Sequence, residues 1–398
     1  MKNIIYFLLM VICSTEFINC HKQDVNFQTA PQQQNSITLN EIPDKAIFYT
    51  KPEKKESGEL PILFSHQGLY GYLNHQLQII VPPIYANGYN YTDYGYALVS
   101  IAAGDGFLES RILDCEGNIV FKEYNGEIYI LYDDILSYTP NGEKYPKIIK
   151  FRDNILVANA SGISASAVGN DIIILVRFTP DIEKGFINLS GNRILPDFYL
   201  KRISRGFKEE RAVVILDDNL GIRIIDINGN FYGNLHFFRT GWYFSEGLLP
   251  AETTDGKTGY INLDGDFAFL VPIVADIPEY DESPLNATDF KDGFAIIQTI
   301  LEPPTWKVIN NKGEFVSDDL PLFLANAFAD GLSRVKTNDA GYGYININGE
   351  MVIEPIFEKA YSFNNGYARI IYNGRDGIID TKGEVFWSDE IIKNQKEE

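Results

Sequence analysis

The stretch Tyr342-Gly343-Tyr344-Ile345-Asn346-Ile347-Asn348-Gly349-Glu350-Met351-Val352-Ile353-Glu354-Pro355-Ile356-Phe357 decides the fold. Two short runs of β-branched and aromatic residues flank Asn348-Gly349, and these residue types suit a pleated, half-buried surface. Asn-Gly between such runs is the strongest short hairpin signal and predicts a two-residue turn with positive φ. Downstream, Phe363-Asn364-Asn365-Gly366 marks a second turn and Tyr367 to Tyr372 a further alternating strand.

The same frame recurs along the chain. Tyr70-Gly71-Tyr72-Leu73-Asn74 to Val81-Pro82-Pro83-Ile84-Tyr85 aligns with it without a gap, Leu77 standing where the turn glycine is expected. Shorter copies end on Gly117, Gly191, Gly229, Gly265, Gly313 and Gly383, and Asn141-Gly142 marks a degenerate one. The Phe-x-x-Gly turn returns at Phe244 to Gly247, Phe290 to Gly293 and Phe328 to Gly331. Three or four short strands per unit of roughly 36 to 48 residues are the proportions of a propeller blade.

This pattern resembles the WG-repeat family (also called KWG repeats), whose units carry a Trp-Gly, a short strand, a Gly turn and a downstream F-x-x-G-x-A stretch. The resemblance covers most of the chain from about residue 60 to residue 387, but no Trp-Gly pair occurs. Tyr70-Gly71, Lys184-Gly185, Thr258-Gly259, Tyr342-Gly343 and Asp376-Gly377 occupy its place, and Trp306 is followed by Lys307. The resemblance implies an all-β repeat array far more than it implies an activity.

The two ends suggest how the array deals with its exposed edges. Residues 377 to 387 supply only a first hairpin, while 45 to 65 hold Ala46-Ile47-Phe48-Tyr49 and Leu60-Pro61-Ile62-Leu63-Phe64 with no hairpin before them. Pairing the two would remove an unpaired edge. The expectation is an all-β repeat array, a β-propeller of about eight blades closed by that pairing; an open β-solenoid is the alternative.

The N-terminus is of another kind. Lys2 precedes ten apolar residues from Ile4 to Cys13, too few to span a bilayer as a helix, so a signal peptide over 1–19 is expected. Cys20 follows, and the arrangement resembles the lipobox of bacterial lipoproteins, which makes Cys20 the lipidation candidate. Residues 20–40, with Gln32-Gln33-Gln34, cannot bury enough apolar surface to order themselves and read as a tether. The repeat domain is expected over 41–390 and a polar tail over 391–398. With Cys13 removed and Cys20 acylated, Cys115 is the last of three cysteines, which leaves no intramolecular disulfide. The expected address is the bacterial cell envelope, outer membrane or periplasmic face, with membrane contact through the lipid only.

Chemistry is sparse. Four histidines have no ligand spacing with cysteines or carboxylates, so no metal and no cofactor is expected. Asp226-Ile227-Asn228-Gly229 and Asn262-Leu263-Asp264-Gly265 lack the twelfth-position Glu of a calcium loop. Gly162-Ile163-Ser164-Ala165-Ser166 lacks the last glycine of a nucleophile elbow. Cys115 has no evident His partner. A net charge of −20 disfavours nucleic acid and anionic lipid. One irregularity stands out. Turn glycine to later Phe spans 15 residues from Gly229 and Gly313 and 14 from Gly349, but 25 from Gly265. The surplus holds Asp276, Glu279, Tyr280, Asp281 and Glu282, and loops on rigid scaffolds carry binding. These five are the candidate contact residues for a protein, peptide or glycan. The expected function is therefore non-enzymatic binding. The alternative is a propeller-type hydrolase or lyase acting on a glycan or peptide in the central channel, which would need ionisable groups from several units in one cleft.

Overall fold

The run at 342–357 folds as read: Tyr342–Asn346 pairs antiparallel with Met351–Phe357. The computed structural model describes residues 53–395, apart from 104–105, 154, 169–170, 178–183, 194–199, 204–205, 217–221, 275–284 and 338–340. All of these lie in one compact unit, Leu39–Glu398. The expected signal peptide, Cys20 and the expected tether fall outside the described residues.

The hairpin turn is not of the expected type. Asn346 Oδ1 accepts the amides of Asn348 at 2.9 Å and Glu350 at 3.0 Å, and the Asn346 amide donates to the Glu350 carbonyl. Of its inner residues Gly349 alone has positive φ, +81°. An Asx side chain thus shapes a wider loop, and glycine supplies its left-handed residue. The same side-chain pattern follows Asn74, Asp114, Asn188, Asp226, Asn262, Asn310 and Asp380.

Two-residue turns with both residues at positive φ occur instead in the Phe-x-x-Gly motif: Glu246-Gly247, Asp292-Gly293, Asp330-Gly331 and Asn365-Gly366. Two of their leading carboxylates reach the next repeat. Glu246 accepts from the Asp292 and Gly293 amides at 2.7 and 2.8 Å, and Asp330 accepts from Gly366 at 2.8 Å. Glu209 does the same for Glu246 and Gly247, both at 2.8 Å. Part of the acidic surplus therefore satisfies turn amides across repeats, as charge-assisted hydrogen bonds.

Among the described residues the strands form eight antiparallel sheets in chain order, all-β in a propeller arrangement. Four of the eight have four strands. One has seven, because the ten-residue strand Phe231–Thr240 pairs through its first part with Ile222–Ile225 and through its last part with Leu249–Thr253. The expected count of about eight blades is slightly off. Each sheet packs its faces on both neighbours, as Leu332 and Tyr344 meet Phe363, Ala368 and Ile379 of the following sheet. Burial on both faces explains continuous apolar strands such as Ile172 to Val176, all at most 2% exposed.

The first and last described sheets meet, which rules out the open solenoid. Ile62, Phe64 and Leu73 share a core cluster with Ile378 and Ile391. Asp376 accepts from the Ser65 hydroxyl at 3.0 Å and the Gln67 amide at 3.1 Å. The Arg369 guanidinium lies between the rings of Tyr70 and Tyr361, 5.0 and 4.0 Å from their centres. The expected strand pairing across this seam does not occur among the described residues. Ile62–His66 pairs with Leu69–Leu73, and Val385–Trp387 pairs with Arg375–Asp380. Side-chain packing joins the two sheets face to face. Across the start of the expected polar tail, Ser388–Asn394 is a helix that buries Ile391 at the seam. Two apolar residues in a polar run suffice once a partner face exists.

Candidate functional site

Three of the repeats are fastened by a recurring tyrosine. Tyr72, Tyr260 and Tyr344 are fully buried and donate their hydroxyls to the carbonyls of Tyr89, Thr288 and Tyr361 at 2.7, 3.0 and 2.7 Å. Their rings stand edge-on to Tyr91, Phe290 and Phe363, with centres 4.9, 4.8 and 4.8 Å apart. Burial pushes all three phenols above the ordinary tyrosine range, so they remain donors. Glycine precedes each tyrosine because the neighbouring strand passes close. A Cβ at Gly343 would stand 2.5 Å from the Ile353 carbonyl oxygen, and one at Gly259 2.3 Å from that of Phe269.

Tyrosine and carbonyl are 17 residues apart in the Tyr72 and Tyr344 repeats and 28 apart in the Tyr260 repeat. The geometry is nevertheless unchanged, so the surplus chain is accommodated outside the fastening. Both flanks of that surplus are pinned. The Thr258 hydroxyl donates to the Val271 carbonyl at 2.7 Å and accepts from the Ile273 amide at 3.2 Å. The Val274 amide donates to Gln298, the Asn286 amide to Val274, and the Gln298 amide to Asn286, at 3.0, 2.9 and 2.7 Å. The Asn286 and Gln298 side chains bond at 2.6 Å, with Gln298 only 4% exposed. Val271, Ile273 and Leu285 anchor this neck in the core beside Phe290. A shallow depression lined by Lys257, Thr258, Leu270, Val271 and Pro272 lies at its foot. The five candidate residues, Asp276, Glu279, Tyr280, Asp281 and Glu282, fall within 275–284, outside the described residues.

A second polar cluster was missed in the sequence. Asp133 and Asp134, 5% and 2% exposed, are both bonded by Arg152, at 2.6 and 2.9 Å. Lys150 lies 3.7 Å from Asp134 and bonds Asp153, and the Tyr94 hydroxyl donates to that of Tyr132 at 2.5 Å. Burial and the neighbouring Asp134 charge raise the Asp133 carboxyl, against the pull of Arg152. One guanidinium occupies both carboxylates, so the cluster ties a tight turn to the next one. Tyr132-Asp133-Asp134-Ile135 takes the place of a Phe-x-x-Gly turn, and that substitution was its only sequence signal.

Among the described residues no group of three or more His, Cys, Asp or Glu side chains could hold a metal ion. Cys115 is half-buried, its thiol raised by burial and directed at the Gly95 carbonyl at 3.6 Å. This is the environment of a packing thiol rather than an activated one.

The WG containing repeat family matches the chain at residues 70–102 and 342–375, so the chain carries WG-type repeats. Among solved structures it is similar to a eukaryotic initiation factor, with TM-score 0.51 and 14% identity, over 82% of this chain and 94% of that one. At that identity the likeness speaks for the fold alone. BamB from Moraxella catarrhalis is more distant, with TM-score 0.41 and 10% identity, over 81% of this chain and 98% of that one. No curated protein matches the sequence.

Proposed function

We propose that this WG-repeat chain is a non-enzymatic binding protein of the bacterial cell envelope. A lipid on Cys20 holds it at the membrane, and the acidic insertion over 275–284 engages a protein, peptide or glycan. The observation that carries this reading is the neck. Extra chain enters one repeat between Val274 and Asn286, whose backbones are bonded to each other and to Gln298, without disturbing the Tyr260 fastening.

The test is photo-crosslinking on intact cells. A benzophenone amino acid at position 280 is expected to give a discrete adduct that the same group at Tyr145, 44% exposed, does not give. Identical patterns at the two positions, or no adduct at 280, would overturn the assignment. The anchor is tested separately. One acyl chain holds a protein only marginally and two or more hold it stably, so Cys20→Ser should move the protein from the membrane to the soluble fraction. Wild-type protein already in the soluble fraction would refute it.

A further inference from the structure

Eight turns share the Asx hydrogen-bond pattern, and seven carry glycine at the fourth position with φ between +75° and +88°. The eighth carries Leu77, at φ +59°. Leucine in the left-handed region is strained, so this position has forgone the residue its backbone favours.

At Gly117, Gly313 and Gly349 the glycine answers a second demand, because the preceding repeat passes close to the turn. A Cβ at Gly117 would stand 2.6 Å from Val81, one at Gly313 2.5 Å from Phe269, and one at Gly349 2.6 Å from Ser317. The turn at Leu77 faces the other end of the chain. There the last strand stops at Trp387 and the helix Ser388–Asn394 follows. Leu77 packs with Ile79, Tyr367, Phe386 and Ile392 around the cluster of Ile62, Phe64, Leu73, Ile378 and Ile391. Gln395, which caps the helix, bonds this same turn: its Oε1 accepts from the Ile79 amide at 2.9 Å and its Nε2 donates to the Leu77 carbonyl at 3.0 Å. Arg375 fixes the other end of the helix through Asp389 and Glu390, at 3.0 and 2.7 Å.

We propose that Leu77 and the C-terminal helix form a clasp that locks the ring at its seam, the helix contacts offsetting the strain of a leucine in a glycine turn. The two halves are then energetically coupled. The ring reaches full stability only when the helix Ser388–Asn394 docks on the repeat that holds Leu77.

A double-mutant cycle on the full chain tests the coupling. Leu77→Gly alone relieves strain but removes packing, and is expected to lower the thermal midpoint. In an Ile391→Ala background the leucine has lost its partner, so Leu77→Gly is expected to leave the midpoint unchanged or raise it. The predicted departure from additivity is at least about 2 °C. Gln395→Ala, a milder change at the same contact, serves as the second background should Ile391→Ala fail to fold, with the same direction expected. Hydrogen exchange in Ile62–His66 and Arg375–Asp380 should quicken together in the single variants. Equal shifts from Leu77→Gly in every background, whether up or down, would overturn the clasp.

Discussion

Replacing Gly349 by alanine separates two reasons for a glycine at one position. Gly349 sits at φ +81° and Gly366 at φ +82°, so alanine suffers the same left-handed strain at both, about 1–2 kcal/mol. The space around them differs. Nothing lies within 4 Å of a Cβ at Gly366, whereas one at Gly349 would stand 2.6 Å from the Cβ of Ser317 and 3.4 Å from Leu320. Ser317 cannot easily retreat, because its hydroxyl accepts from the Val308 amide and donates to the Asp318 carbonyl, both at 2.9 Å. Overpacking of that kind adds about 1–3 kcal/mol. Gly366→Ala should therefore destabilise by roughly 1–2 kcal/mol and Gly349→Ala by roughly 2–5 kcal/mol, read from urea denaturation midpoints at constant slope. Equal losses would show that close packing of each turn on the preceding repeat is not what selects glycine there.

Two further outcomes follow from the hydrogen bonds. Tyr344→Phe keeps the ring against Phe363 but leaves the Tyr361 carbonyl without its donor, and should cost about 1–3 kcal/mol in the same assay; an unchanged midpoint would remove the hydroxyl from the fastening. Asp226 is 8% exposed, and burial alone would raise its carboxyl, but hydrogen bonds from Asn230, Asn228 and Tyr232 together hold it below the ordinary 3.8. A carboxyl lowered in the folded state adds stability that is complete above 3.8 and fades as pH falls through the lowered value. Asp226→Asn should therefore be less stable than wild type at pH 7, with the gap closing toward pH 3; a gap that does not change with pH would contradict this.

The repeat frame was legible because its tyrosines, glycines and Phe-x-x-Gly turns are local and recur. The turn chemistry was not, since Asn348-Gly349 reads alike in a two-residue turn and in a loop shaped by Asn346. The degenerate repeat around Asn141 was obscured because Asp133-Asp134 replaces the expected glycine turn, and with it went the Arg152 cluster. Ring closure depends on contacts such as Ser65 with Asp376, 311 residues apart, which no local pattern encodes. The insertion was visible as a change in spacing, but its neck was not, because Asn286 and Gln298 gain meaning only once their strands are side by side.

The closed ring, which positions everything else, is tested most directly by the distance between the chain's two ends. Spin labels at Leu69 and Tyr372, 40% and 37% exposed, flank the turns joined by Asp376 and Gln67. In a Cys13→Ser, Cys20→Ser, Cys115→Ser background, pulsed electron spin resonance should place them below about 25 Å, allowing about 10 Å between facing sheets plus the label arms. An open array of the eight described sheets, roughly 10 Å apart, would separate them by roughly 70 Å, and that result would contradict the ring.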